Sequence, residues 1–495
     1  MRRRPSRSTL VSGAVLATLL VPLAAPTATA TGTAATAPAA PAQGADVVDR
    51  LLAIPGMKLV EEKPYEGYRF LVLTYTQPVD HTDRRKGTFE QRLTILHKGI
   101  DRPTVFSTSG YGLPVDPNPS RAEPTRLIDG NQVSLEYRFF RSSRPDTGTD
   151  FSTLTSEQGA ADQHRLFKAL KPLYRGKWIA TGASKGGMTA THYERFHPHD
   201  MDGVVAYVAP NDADRPGDSA YSRFILSRGT RECRDALATA QTEALERRET
   251  LAARYERYAA DNGITFDQTF GTADRAFEMV VLDTPWAFWQ YYDASSCDGI
   301  PGADATDDEL WTWFDTIAGF SFYNDQGLDY YTPYYYQAGT QLGAPVVQYP
   351  YLKGLLKYPD VNSARTYVRK DIPMPAFDPS FTKDVDRWVR TKSEHMLFIY
   401  GENDPWSAER FTPATDRGKG HVRRDNHVLQ APGANHGASI AQLGTADQEL
   451  ATDALLRWAG LSGAGEKAAA VRAPYDRGLD RADTAPDRAR GRNHR

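Results

Sequence analysis

Cysteine is nearly absent from this 495-residue chain: there are two, Cys233 and Cys297, and neither sits near a histidine cluster. That argues against a zinc framework or a disulfide-dense small domain, and no metal or organic cofactor is expected. An excess of one charge is missing too, since 59 Lys and Arg face 62 Asp and Glu for a formal net charge of −3. Neither nucleic acid nor an anionic membrane surface is therefore an expected partner. Beyond the N-terminal region no stretch is apolar enough to span a bilayer, which takes about 20 residues, and no internal repeat is visible. What is present is an ordinary globular composition, 40% hydrophobic and 24% charged. The length suits one large catalytic domain with an insertion, or two domains.

The first residues read as a processing signal. Arg2, Arg3, Arg4 and Arg7 precede an apolar run over 10–25, and Ala28-Thr29-Ala30 supplies a small-residue cleavage pattern. Pro22 and Pro26 interrupt the run, so 1–30 is expected to be an export signal rather than an anchor. The mature protein is then expected to be secreted, extracellular and free of the membrane. Residues 31–45, rich in Ala, Thr and Pro, predict a flexible leader or pro-segment, and 463–495 a disordered tail. An exported chain with an even cysteine count predicts a Cys233–Cys297 disulfide.

Between these ends the pattern alternates. Aromatic and β-branched segments at 68–76, 91–97, 104–107, 133–139, 177–182, 204–208, 396–400 and 427–431 predict strands. Helices are expected at 156–170, 186–196 and 448–459. Strands alternating with helices imply crossovers and a mostly parallel sheet. From 211 to 387 the pattern changes to a long polar helical segment at 236–260 followed by aromatic-rich stretches. The expected architecture is an α/β-hydrolase fold over 46–210 and 388–462, interrupted by a large, mainly helical lid at 211–387, before the candidate acid.

Gly182-Ala183-Ser184-Lys185-Gly186 follows one predicted strand and opens a predicted helix. In that setting a G-x-S-x-G turn exposes its serine as a nucleophile. A hydroxyl needs a base to take its proton, and the base needs an acid to orient it. Asp404, in Gly401-Glu402-Asn403-Asp404-Pro405-Trp406, and His436, in Asn435-His436-Gly437, each follow a predicted strand and complete the order Ser, Asp, His. Glu402 is a rival acid, ranked below Asp404. The oxyanion donors are expected to be the backbone N–H of Lys185 and one from Ser109-Gly110-Tyr111-Gly112, with Gly110 and Tyr111 both open. The Lys185 side chain is expected to be solvated or to touch the lid. Most lid aromatics are expected in its core, some lining a substrate pocket.

Gln77-Pro78-Val79-Asp80-His81, Gly87-Thr88-Phe89-Glu90-Gln91-Arg92, Glu136-Tyr137-Arg138-Phe139 and Asp404-Pro405-Trp406 resemble motifs of Pro-specific serine peptidases. Those include the lysosomal Pro-X carboxypeptidase. From about Val60 to Leu461 the chain is more similar to secreted actinobacterial prolyl tri/tetrapeptidyl aminopeptidases, which place G-A-S-K-G-G, D-P-W and N-H-G around their triad. The resemblance implies peptide substrates cut after proline near a free N-terminus, with release of tri- or tetrapeptides. Glu136 could take the substrate ammonium, but a glutamate inside a strand is more often the partner of a nearby arginine. An esterase or lipase on the same scaffold is the alternative, and a non-catalytic binder with this fold a more distant one.

Overall fold

The computed structural model describes residues 46–213, 219–414, 424–461 and 473–480. The expected export signal and leader lie outside the described residues. Among these residues nine strands make one sheet: β1 Met57–Tyr65, β2 Tyr68–Pro78, β3 Thr88–His97, β4 Thr104–Thr108, β5 Asn131–Leu135, β6 Trp178–Ala183, β7 Gly203–Tyr207, β8 Met396–Gly401 and β9 His427–Ala431. Their order is β1-β2-β3-β5-β4-β6-β7-β8-β9. Pairing is antiparallel from β1 to β5 and parallel from there to β9. This is the α/β-hydrolase fold.

Successive strand residues point to opposite faces, and both faces are covered. Phe106, Ala180 and Phe398 pack with helices Ser156–Leu170, Lys185–Phe196 and Ser380–Thr391 through Leu166, Tyr193 and Val385. Their neighbours Val105, Ile179 and Leu397 face Leu127, Leu455 and Trp458 on the other side. Fully apolar central strands such as β7 and β8 follow from this two-sided burial.

Several expectations are revised. The strand expected at 133–139 ends at Leu135, because Glu136 turns inward to bond Arg92 and Phe139 adopts φ +69°. β1 carries no sequence expectation; it is an edge strand whose Lys58, Glu61 and Glu62 are solvated, so its pattern is not that of a core strand. The helical segment at 236–260 is two helices, Arg231–Glu246 and Arg248–Asp261. At the break, the Arg247 guanidinium bonds Glu243 and the carbonyls of Ala303 and Ala305. The expected lid boundary at 387 falls inside helix Ser380–Thr391, which packs on the sheet.

Between β7 and β8 the insertion has its own core. Helix Ala273–Tyr291 runs through it, buried around most of its circumference, against Tyr255, Trp311, Phe314 and Phe320. Cys233 and Cys297 are joined by a disulfide that ties helix Arg231–Glu246 to the turn Ala294–Gly299. Among the described residues no helix is long and apolar enough to cross a membrane.

The tail expectation also changes. Residues 473–480 are packed: Leu479 is buried with Tyr68, Phe70 and Val72, and Asp480 pairs with Arg121 at 2.5 and 2.7 Å. Arg121 also donates to the carbonyl of Pro474 and to the Tyr68 hydroxyl. A few anchoring contacts hold a segment whose average composition reads as solvated; the rest of 463–495 lies outside the described residues.

Two outcomes are expected. Removing one partner of a buried ion pair costs about 3 to 5 kcal/mol, so Asp480→Ala should lower the thermal midpoint clearly, whereas Arg477→Ala should not. Glu194 is buried in helix Lys185–Phe196, and burial with Asp200 and Asp202 nearby pushes its carboxyl up to about 8. The unfolded carboxyl loses its proton from its ordinary value of 4.5 upward, while the folded one keeps it to about 8. Stability therefore falls across that window as pH rises, and Glu194→Gln should gain thermal midpoint over the parent at pH 8 to 9 but not at pH 5.

Candidate active site

Three backbone segments meet at the end of β6. Ser184 has φ +56° and ψ −125°, a conformation forced on a residue between strand and helix. Its N–H donates to Tyr207 O at 2.9 Å, fastening the turn to β7. A Cβ on Gly182 would lie 2.4 Å from Thr108 O and from Gly186 backbone, and one on Gly186 would lie 2.2 Å from Thr108 O. Only glycine fits at either place, and the half-buried Ser184 is left at the surface of the turn.

Asp404 follows β8 and is fully buried. It accepts Trp406 N–H and the Ser407 hydroxyl, both at 3.1 Å, and lies 2.9 Å from His436 Nδ1. A buried carboxylate against Nδ1 fixes the ring and leaves Nε2 as the working nitrogen. Among the described residues His436 Nε2 is buried and has no hydrogen-bond partner. The carboxylate–imidazole pair is thus formed, while the serine–imidazole hydrogen bond is not closed. Glu402, the rival acid, is bonded instead to Gly433 N–H at 2.8 Å and does not meet His436.

The loop that carries the histidine is fixed from two sides. His436 N–H donates to Gln290 O at 3.2 Å, and the Trp406 ring lies 6.2 Å from the imidazole and 4.9 Å from Trp286. Further on, Glu123 accepts the N–H groups of Ile440 and Ala441. The insertion's aromatics also reach the other side of the site: the Tyr111 ring contacts Tyr331 and Tyr334 at 6.1 and 5.6 Å, and Phe140 from outside the insertion at 5.5 Å.

Residues 39–490 match the family model of PS-10 peptidase S37. A prolyl tri/tetrapeptidyl aminopeptidase from Streptomyces mobaraensis is 55% identical over 467 residues, 94% of this chain and 95% of that protein. The chain belongs to the S37 peptidase family. Solved structures match more loosely. Rv0554 from Mycobacterium tuberculosis has a TM-score of 0.35 at 14% identity, with 79% of this chain and 100% of that chain covered. A proline iminopeptidase from Mycobacterium smegmatis has a TM-score of 0.33 at 12% identity, covering 81% and 98%.

In this S37 peptidase the motifs away from the serine brace the loop after β4. Glu136 is the partner of Arg92 at 2.6 Å and accepts Leu113 N–H at 2.8 Å, so it is a structural residue and not a free acceptor for a substrate ammonium. Tyr137 N–H holds Tyr111 O at 2.9 Å. Arg138, fully buried, makes a two-pronged pair with Asp162 at 2.7 and 2.8 Å and bonds the carbonyls of Val79 and Thr153. His81 reaches the same carboxylate at 2.7 Å. The Gln77–His81 and Glu136–Phe139 motifs are therefore two sides of one buried polar network.

The side chain of Lys185 departs most from expectation. It is not solvated, being 2% exposed, and the groups around Nζ lie outside the insertion: it donates to Gly110 O at 2.6 Å and faces the rings of Tyr137, Tyr111 and Phe140. A basic residue after a nucleophile carries no signal of burial in one sequence. His164, His197 and Asp200 form the group best placed to hold a metal among the described residues. The two rings, however, stack 4.0 Å apart and 5° from parallel, so their in-plane lone pairs do not converge. Asp200 already accepts His164 Nδ1 at 2.6 Å and the Tyr193 hydroxyl at 2.7 Å. Burial and His164 lower His197 to about 4, keeping it neutral.

The two acids are separable by mutation. Asp404→Asn is expected to lower kcat by about four orders of magnitude, and Glu402→Gln by less than about threefold, in steady-state peptide hydrolysis.

Proposed function

We propose that the chain is a secreted serine peptidase that cleaves after proline near a free N-terminus and releases tri- or tetrapeptides. The substrate class rests on the 55% identity, along 94% of the chain, to a relative named for that activity. Ser184, His436 and Asp404 are assigned as nucleophile, base and acid. The strained turn at Ser184 and the 2.9 Å contact between His436 Nδ1 and Asp404 support that assignment.

The chemistry follows from these positions. Ser184 Oγ attacks the carbonyl carbon of the proline residue as His436 Nε2 takes its proton. Asp404 holds the Nδ1 proton and stabilises the imidazolium that forms. Backbone donors, with Lys185 N–H as the first, hold the oxygen on which negative charge develops. Collapse breaks the C–N bond, and the imidazolium gives its proton to the leaving amine. Water then repeats the sequence on the acyl-enzyme and frees the N-terminal fragment. The aromatic groups around Tyr111 and Trp406 suit a flat pyrrolidine ring and exclude water from the acyl bond.

Export is part of the proposal. It is supported by the sequence pattern of 1–30 and by the disulfide, which persists in oxidising compartments.

Mass spectrometry of a peptide library with proline at positions 2 to 5 is expected to show cleavage after proline at 3 and 4 only. N-acetylation should abolish it. Ser184→Ala should lose labelling by a fluorophosphonate and about 10⁴-fold or more in kcat. Turnover of p-nitrophenyl esters with no cleavage after proline would reject the peptidase assignment.

A further inference from the structure

Lys185 sits in a place where a lysine is costly. Its side chain is enclosed by Tyr137, Tyr111 and Phe140, with Nζ 3.8, 5.6 and 5.8 Å from the ring centres. Among the described residues no carboxylate pairs with it, and burial drives its ammonium well below the ordinary lysine value. A methionine of similar length would fill this volume without desolvating a charge. What the amine adds is one bond, to Gly110 O at 2.6 Å.

That bond fixes a peptide plane. The Gly110–Tyr111 peptide is trans, so its C=O and N–H point in opposite directions. With Gly110 O held down on Lys185, Tyr111 N–H is turned to the opposite side. Gly110 has φ +71° and rests on the lysine stem, where an added Cβ would meet Lys185 Cγ at 2.9 Å. The following residues are pinned as well: Tyr111 O by Tyr137 N–H, Gly112 N–H by the Tyr330 hydroxyl, and Leu113 N–H by Glu136.

The two candidate donors also differ in what holds them. Gly110 N–H is bonded to the hydroxyl of Thr108, which is buried. Tyr111 N–H is bonded at 3.1 Å to the hydroxyl of Ser109, which is only half-buried and can rotate away.

We propose that the Lys185 side chain is a positioning residue for the oxyanion hole. It holds the Gly110–Tyr111 peptide so that Tyr111 N–H, released from Ser109, becomes the second donor beside Lys185 N–H. The same residue then serves twice, its backbone at the oxyanion and its side chain behind the other donor. This rests on Ser184 being the nucleophile.

The test pairs kinetics with a tetrahedral adduct. Lys185→Met should lower kcat about 100-fold, the cost of one misplaced oxyanion donor, with KM within about twofold. Affinity for a peptidyl boroproline should fall by the same factor as kcat/KM, while affinity for the proline-ending product peptide stays constant. Lys185→Gln, which keeps an N–H donor, should recover part of the loss. A KM or product-affinity change as large as the kcat change, or unaltered boronate affinity, would overturn the proposal. The wild-type crystal structure with the boronate gives an answer without any variant. Boron on Ser184 Oγ, with one boronate oxygen within about 3.1 Å of Tyr111 N and Gly110 O still on Nζ, supports it. Boron on Ser184 with Gly110 N at that oxygen rejects the role of Lys185 and leaves the nucleophile in place; no bond to Ser184 rejects the nucleophile itself.

Discussion

The site depends on how closely two backbone segments approach. Thr108 O, at the end of β4, occupies the space that side chains at 182 and 186 would need. That proximity brings the loop after β4 alongside the Ser184 turn. It leaves no room at the turn for any side chain but those at 183, 184 and 185. Ala183 is exposed and Ser184 half-buried, and Lys185 passes into the interior. The strained φ of Ser184 is stable because β7, through Tyr207 O, and the helix through Met188 N–H hold it on both sides.

The order and context of Ser184, Asp404 and His436 were legible because each follows a short apolar strand, and such strands have a strong local signature. The central sheet was legible for the same reason. Val133 to Phe139 misled because apolar alternation does not reveal that the buried Glu136 has a partner 44 residues earlier, in Arg92. Composition misjudged 473–480, where the Arg121–Asp480 pair and the buried Leu479 anchor a segment that is otherwise mostly exposed. The Lys185 side chain was illegible in principle: its surroundings come from 110–111, 137 and 140, and only the fold brings them together.

Two buried ionic networks differ in what they secure. Arg138 and Asp162 lock the Gln77–His81 and Glu136–Phe139 motifs together beneath the site. In the insertion, Arg248 and Glu278 join separate helices, and Glu278 also accepts the N–H groups of Lys357 and Tyr358. Each carboxylate is satisfied by several donors, the condition under which a buried charge is tolerated.

The contact between His436 N–H and Gln290 O, with Trp286 against Trp406, has a consequence for modularity. The insertion supplies both an acceptor for the backbone of His436 and a wall for Trp406, two positions past Asp404. It is therefore not a cassette that can be exchanged between hydrolases to change specificity alone. A transplanted insertion must bring an equivalent of Gln290 and Trp286, or the recipient's catalytic loop loses its support along with its old preference.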